Sequence, residues 1–473
     1  MGRASICILK SVNSGSIIEA KVCIGSSFRS LEKILLSCLD PKIDIGRFWM
    51  INRLTSSILE LIKYKYIFMS MSIQLLGPLA SFLIIFMIAH TQGAIAQGNF
   101  ALVKSYFDVM VAIGLFGLPQ SIIYFINKHK VSRKYFFHFS FKYSTIFYLL
   151  IFLLINISYV LTIWPFSITI STANILLIAA FGYILYGIWR AIYITFNDRT
   201  SYAVLTAIPN ILLLLTVFIF IFLKKQNYEV AYLMASILVI TISFNILKPS
   251  IRNNMTNSTS ISIKNLFNNG IYVFIHTVMF SIQLLLSYQF IIWFGGSKSE
   301  IGYFSTGYYV IQIPLLVLAT LIPLLFNHLS SMQKINIDKI KKLSISSGSI
   351  SIIFSVFLFL LAKPFVESFF GKSYEESIII IQILSIYIPF IIVQRIFIVY
   401  FDSIGKPKFN ALLSAMRVTL MLLLALIFYK YGFSRIISIT LSTVVSELII
   451  LIVYILFIRK DLYEPNKYST ISS

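Results

Sequence analysis

Twelve apolar runs divide the chain, each close to the ~20 residues that an α-helix needs to cross the ~30 Å hydrocarbon layer of a bilayer. Their limits are 67–88, 100–126, 143–163, 172–195, 203–223, 230–248, 270–294, 303–326, 346–362, 378–400, 409–428 and 436–457. Within hydrocarbon a backbone must satisfy its own N–H and C=O groups. Each run therefore reads as a helix, and the chain as an all-α polytopic membrane protein with 12 transmembrane helices. Composition excludes a soluble protein. Hydrophobic residues make up 58% and charged residues 12%, against roughly 45–50% and about 25% in globular domains, an excess that no core of ordinary size buries.

The charge balance takes its meaning from these runs. With 39 Lys and Arg against 17 Asp and Glu, the net charge of +22 would point a soluble protein toward nucleic acid. Here the basic residues fill the gaps between runs, so no nucleic-acid partner is expected. With the N-terminus in the cytoplasm, 29 of them fall on the inner side and 7 on the outer, which predicts a multi-pass protein with both termini cytoplasmic. Cys7, Cys23 and Cys38 all precede the first run, and neither a CxxC nor an HExxH spacing occurs. Metal sites and classical soluble enzyme chemistry thus have little to stand on. Residues 1–62 read as a polar cytoplasmic extension, with Met50 and Met69 as alternative starts. Leu54, Ile58, Leu61 and Ile62 beside Lys63 and Lys65 form the pattern of an interfacial helix.

The first six runs resemble the last six in order. Gly98-Asn-Phe100 with Pro119 matches Gly302-Tyr-Phe304 with Pro323 at an offset of 204; Pro165-Phe166 matches Pro364-Phe365 at 199. RAIYITFND from Arg190 matches RIFIVYFD from Arg395 at 205, and AVLTAI from Ala203 matches ALLSAM from Ala411 at 208. Four matches within so narrow a range of offsets predict two six-helix lobes related by a parallel internal repeat, with a substrate path between them. The expected organisation is an N-lobe at 63–249, a cytoplasmic linker at 250–265, a C-lobe at 266–460 and a cytoplasmic tail at 461–473.

The stretches GNFALVKSYFDVMVAIGLFGLPQSIIYFI and IGYFSTGYYVIQIPLLVLATLIPLLF, with KPFVESFFGKSYEES at Lys363–Ser377 and SIGKPK at Ser403–Lys408, resemble polysaccharide flippases of the O-antigen (Wzx) type. These belong to the multidrug/oligosaccharidyl-lipid/polysaccharide (MOP) exporter superfamily. The resemblance implies a MATE-like fold in the bacterial inner membrane. It implies a lipid-linked oligosaccharide as substrate, moved between leaflets of membrane lipid through a cationic cavity. It also implies no cofactor beyond a proton or sodium gradient, and a polymerase and chain-length regulator as pathway partners. In the seventh run members often carry an acidic residue where this chain reads LLLSYQFII, with Ser287.

Ionisable residues inside the runs are functional candidates by default, because charge at depth is costly. A diphosphate needs fixed donors that stay charged, which makes Arg417, Lys104, Arg190 and Arg395 candidates for the diphosphate and the cavity wall. Asp108 and Glu447 are candidates for ion coupling, as carboxylates able to take up and release a cation at depth. Lys104–Asp108 and Arg417–Glu447 also read as plain structural ion pairs, and Arg190 and Arg395 lie near enough to helix ends to snorkel. Tyr308 and Tyr309 are candidates for stacking on sugar rings, whereas His276 reads as a hydrogen-bonded bundle residue.

These residues favour a flippase working by alternating access. The alternatives are a multidrug or cation exporter of the same superfamily, a lipid II flippase and an O-antigen polymerase. An exporter of organic cations calls for an acidic cavity, yet these runs hold more Lys and Arg than Asp and Glu. A lipid II flippase is disfavoured because the first and eighth runs hold no Arg or Lys, and a polymerase because the longest outer loops have only about 15 residues.

Overall fold

A computed structural model describes the backbone over residues 45–161, 167–196, 198–252, 263–330, 337–404 and 406–463. The predicted N-terminal extension up to residue 44, residues 253–262 of the linker and the tail beyond 463 lie outside the described residues. The protein divides into Met1–Ile67 and Phe68–Ser473, and the second of these units holds the helical bundle.

Every described element is helical: α1 (Ile45–Leu115), α2 (Leu118–His129), α3 (Arg133–Val160), α4 (Ile170–Tyr193), α5 (Arg199–Phe222), α6 (Tyr228–Arg252), α7 (Ile263–Trp293), α8 (Lys298–Ser330), α9 (Ile337–Phe369), α10 (Glu376–Ser385), α11 (Tyr387–Ser403), α12 (Pro407–Lys430) and α13 (Arg435–Tyr463), with two short 3₁₀ turns. Nine helical stretches among the described residues are long and apolar enough to span a membrane, and α10 with α11, bent by 44°, makes a tenth. One of the nine, Ser72–His129, has 58 residues, or about 87 Å at 1.5 Å per residue, far more than one crossing. It is broken at Gly93, whose φ of 80° with ψ of −178° is open essentially to glycine alone. Dividing there, and counting α8, the helices cover the twelve apolar runs over their described residues.

The breaks are chemically supported. Next to the break at Gly93 the Tyr374 hydroxyl donates to Ala89 C=O at 3.4 Å. Pro209 has no N–H for Leu205 C=O, which accepts from the Tyr186 hydroxyl at 2.6 Å. Pro389 likewise leaves Ser385 C=O at the bend between α10 and α11, and Ser355 of α9 donates to it at 2.7 Å. The sequence places Pro364 after a span, whereas the structure keeps it inside α9, which runs on to Phe369. Gly77-Pro78 lies inside α1, and the break falls sixteen residues after Gly77, at Gly93.

Within each half the same neighbours recur: α3 packs on α4, α4 on α6 and α5 on α6, while α9 packs on α10 and α11, α11 on α13 and α12 on α13. This is the arrangement a duplicated bundle would leave. The matched helices α3 and α9 are also alike in burial, 11% and 17% of their apolar windows against 72% for α4. Their exposed Leu, Ile and Phe rows, such as Leu149, Leu153, Ile353 and Phe357, are lipid-facing surface in a membrane protein.

The halves meet where α1 approaches α8. A Cβ built on Gly98 would lie 1.9 Å from Lys298 C=O, and one on Gly302 would lie 2.1 Å from Ala94 C=O. Both contacts pair residues through the offset of 204, so each half presents the same face to the other. Backbone this close needs glycine, as small-residue helix seams in membranes generally do. Farther along, Gly117, at φ 66°, lies against Gly270 C=O of α7, and Phe116 stacks on Phe274 with ring centroids 4.2 Å apart.

Asp198 closes the turn between α4 and α5: its Oδ1 accepts from Ser201 N–H at 3.1 Å and its Oδ2 from the Tyr193 hydroxyl at 3.1 Å. Partial burial opposes ionisation, but the hydrogen bonds from Ser201 and Tyr193 outweigh it and hold the carboxyl below its usual range. Asp198→Ala is expected to cost about 0.5–2 kcal/mol, the worth of an N-cap, read as a lower unfolding temperature in detergent. Because the folded state favours the ionised form, this contribution is present above the unfolded carboxyl's range and fades as pH falls through the folded one.

Candidate functional site

A cavity of about 320 Å³ opens between α1, α4, α5 and α6 on one side and α7 and α8 on the other. This is at the small end of the roughly 300–1,000 Å³ typical of ligand pockets. Six aromatic side chains line it: Phe100, Phe107, Tyr183, Tyr232, Phe280 and Tyr308. Phe107 holds two of these rings in place, with centroids 4.4 Å from Tyr232 and 4.8 Å from Tyr183.

Two charged side chains line the cavity, Lys104 and Asp108. They lie one turn apart on α1 and pair at 2.6 Å, with side chains 23% and 39% exposed. Lys104 alone of the four predicted cations reaches this wall. Asp108 reaches it and Glu447 does not; Tyr308 lines it and Tyr309 does not.

A second charged cluster lies behind Phe280. Arg417 Nη1 pairs with Glu447 Oε1 at 3.2 Å, and the two side chains are 3% and 0% exposed. Arg417 Nη2 donates to Ser414 Oγ at 3.3 Å, and His276 Nδ1 bonds to that same hydroxyl. Gln394 donates to the backbone carbonyl of Glu447 at 2.7 Å, tying α11 to α13. Arg417 Nε and Glu447 Oε2 are buried without a hydrogen-bond partner among the described residues. The Arg395 guanidinium lies 4.3 Å from the Phe280 ring centroid and that of Arg417 5.6 Å from it. Among the described residues no carboxylate forms a salt bridge with Arg395.

Arg190, the repeat counterpart of Arg395, is placed differently. It sits 5.9 Å from the ring of Tyr186, one turn back on its own helix, and away from the cavity wall. Ser287 donates to Gln283 C=O within α7 and faces Met421. Sequence reasoning missed Phe280, Tyr183 and Tyr232. Among 42 Phe and 27 Tyr, nothing in spacing marks the few that turn inward.

No protein-family profile matches the sequence, and no curated protein does. Solved structures do match. A lipid II flippase, MurJ, in an inward closed conformation superposes with a TM-score of 0.66 at 17% identity, over 82% of this chain and 87% of that one. A multidrug resistance MATE family transporter of the MOP superfamily, inward-facing, gives 0.65 at 15% identity, over 84% and 99%. A MOP superfamily transporter from Pyrococcus furiosus, described as having a binding pocket of reversed polarity, gives 0.64 at 16% identity, over 84% and 94%. The chain is thus a multi-pass membrane protein with the transporter fold that these MOP-superfamily flippases and exporters share.

Proposed function

We propose that the chain is a flippase. It moves a polyprenyl-diphosphate-linked oligosaccharide, an O-antigen or capsule repeat unit, across the bacterial inner membrane by alternating access, with both termini cytoplasmic. The observation that supports this most is the charge left over at the centre. Among the described residues Lys104 pairs with Asp108 and Arg417 with Glu447, which leaves Arg395 without a salt bridge behind Phe280. A diphosphate carries the opposite charge and accepts bidentate Arg donors. Lys104, Arg395 and Arg417 would meet it in turn, with Arg190 nearer the inner surface. Tyr308, on the cavity wall, would pack on a sugar ring. Asp108 and Glu447, each released from its cation when the anion arrives, would take up the coupling proton or sodium ion. The polyprenyl tail stays in lipid, and the polymerase and chain-length regulator act on the product.

The test is a gel of surface polysaccharide from a strain deleted for the gene, with and without a plasmid copy. Loss of every repeat unit, with lipid-linked repeats accumulating inside and rescue by the plasmid, is the expected result. A core capped by a single unit would instead indicate a polymerase. The exporter reading draws on one specific feature, Asp108, the more exposed partner of its pair, set among aromatic side chains of the kind that hold organic cations. An unchanged ladder with altered drug tolerance would favour it.

A further inference from the structure

We propose that Phe280 is a shutter over an anion subsite formed by the Arg395 and Arg417 guanidiniums, and that a diphosphate group opens it by displacing the ring. This rests on the flippase reading for the identity of the anion.

Phe280 is shared by both features: it lines the cavity, and both guanidiniums pack on its ring, at 4.3 and 5.6 Å. The subsite is built but incomplete. Arg395 lacks a carboxylate among the described residues. Arg417, 3% exposed, has a buried Nε with no acceptor. The orphaned Arg417 donor is costly unless another state supplies an acceptor, and Arg395, half-buried, has no salt bridge to offset its partial desolvation. With the ring in place, its π face is a weak substitute for that acceptor, Arg417 is screened from water and small anions, and Arg395 is half-buried beside it. An arriving diphosphate offers more acceptor oxygens than the ring can replace, so the guanidiniums exchange π face for anion and Phe280 moves aside. Ser414, bonded to both Arg417 and His276, holds the cluster from behind while this happens. The ring thereby selects for a strong, multiply charged acceptor, and a weakly charged group entering the cavity leaves it closed.

The measurement uses full-length protein in lipid nanodiscs, with inorganic pyrophosphate as probe and phenylglyoxal as an arginine reagent read by peptide mass spectrometry. In the unaltered protein Arg417, 3% exposed, labels slowly. In Phe280→Ala it labels faster, and pyrophosphate binds roughly tenfold more tightly, the scale of a desolvated cation–π contact that no longer has to be broken. Phe280→Leu keeps apolar bulk and loses the π face; it shifts in the same direction and keeps the test open should the Ala variant not fold. Adding Arg395→Gln to the Leu variant removes the gain. Binding and labelling unchanged in both Phe280 variants would overturn the proposal. Competition by a polyprenyl diphosphate below the pyrophosphate concentration identifies a lipid-borne group; equal competition identifies free diphosphate; no competition by either overturns the subsite. Cells that keep normal glycan without the gene would refute the flippase reading and leave these binding results standing.

Discussion

Arg417→Ala is expected to abolish surface glycan and to lower the amount of folded protein in the membrane. Its partner Glu447 is 0% exposed, and removing one member of a buried pair typically costs about 3–5 kcal/mol because the other charge is left uncompensated. Loss of transport alone would therefore not separate function from folding. A double variant does so. Arg417→Met with Glu447→Leu replaces the pair by apolar bulk, and such replacements are often neutral or stabilising. Membrane abundance and unfolding temperature in detergent should return toward those of the unaltered protein, while the glycan gel stays empty. If the double variant restored glycan, the pair would be a structural clasp, and the roles assigned to both residues would be withdrawn.

Gly98→Leu is expected to be as damaging, for a different reason. Even a methyl group at this position meets backbone, with Lys298 C=O 1.9 Å from an ideal Cβ, and a helical backbone has no alternative rotamer by which to move aside. The two helices must separate over about a turn. Glycan export should fall to background while the protein still inserts, because each six-helix half keeps its own packing. Gly302→Leu should behave alike, since its clash with Ala94 C=O is the reciprocal one. Full activity in either variant would show that α1 and α8 need not approach this closely during the cycle. By contrast Gly371→Ala, which meets nothing within 4 Å, isolates the cost of a positive φ from that of crowding.

The helices were legible because the bilayer leaves the backbone no other choice, so length and hydropathy alone placed them. Their breaks were less so. Pro78 is an obvious candidate for a kink, yet it sits within α1, and the helix is broken at Gly93, whose neighbours Gln92 and Ala94 carry no signal of a break. Pro209 and Pro389 are accommodated because a hydroxyl from a neighbouring helix, Tyr186 or Ser355, takes over the abandoned carbonyl. Such partners are 23 and 34 residues away from their prolines in sequence and invisible to local spacing. Of the charged residues, Lys104 and Asp108 were legible as a pair because i and i+4 share a helix face. Arg417 and Glu447, read from the sequence as a pair as well, lie on two different helices, and the fold brings them to 3.2 Å. Arg190 and Arg395 look equivalent in sequence and are not equivalent in place: one rests on its own helix, the other on a ring from α7. Phe280 carried no signal at all.

The reciprocal contact of Ala94 with Gly302 and Gly98 with Lys298 has an evolutionary consequence. A face that meets its own counterpart across a two-fold axis is the face of a homodimer. A fused duplication that retains it inherits a seam on which the two halves cannot drift independently. A larger residue accepted on one side displaces backbone on the other, so no single substitution there is compensated by a different residue opposite. Charged residues differ between the halves, Lys104 and Asp108 standing where the offset of 204 gives Tyr308 and Gln312, while this one line keeps a common geometry.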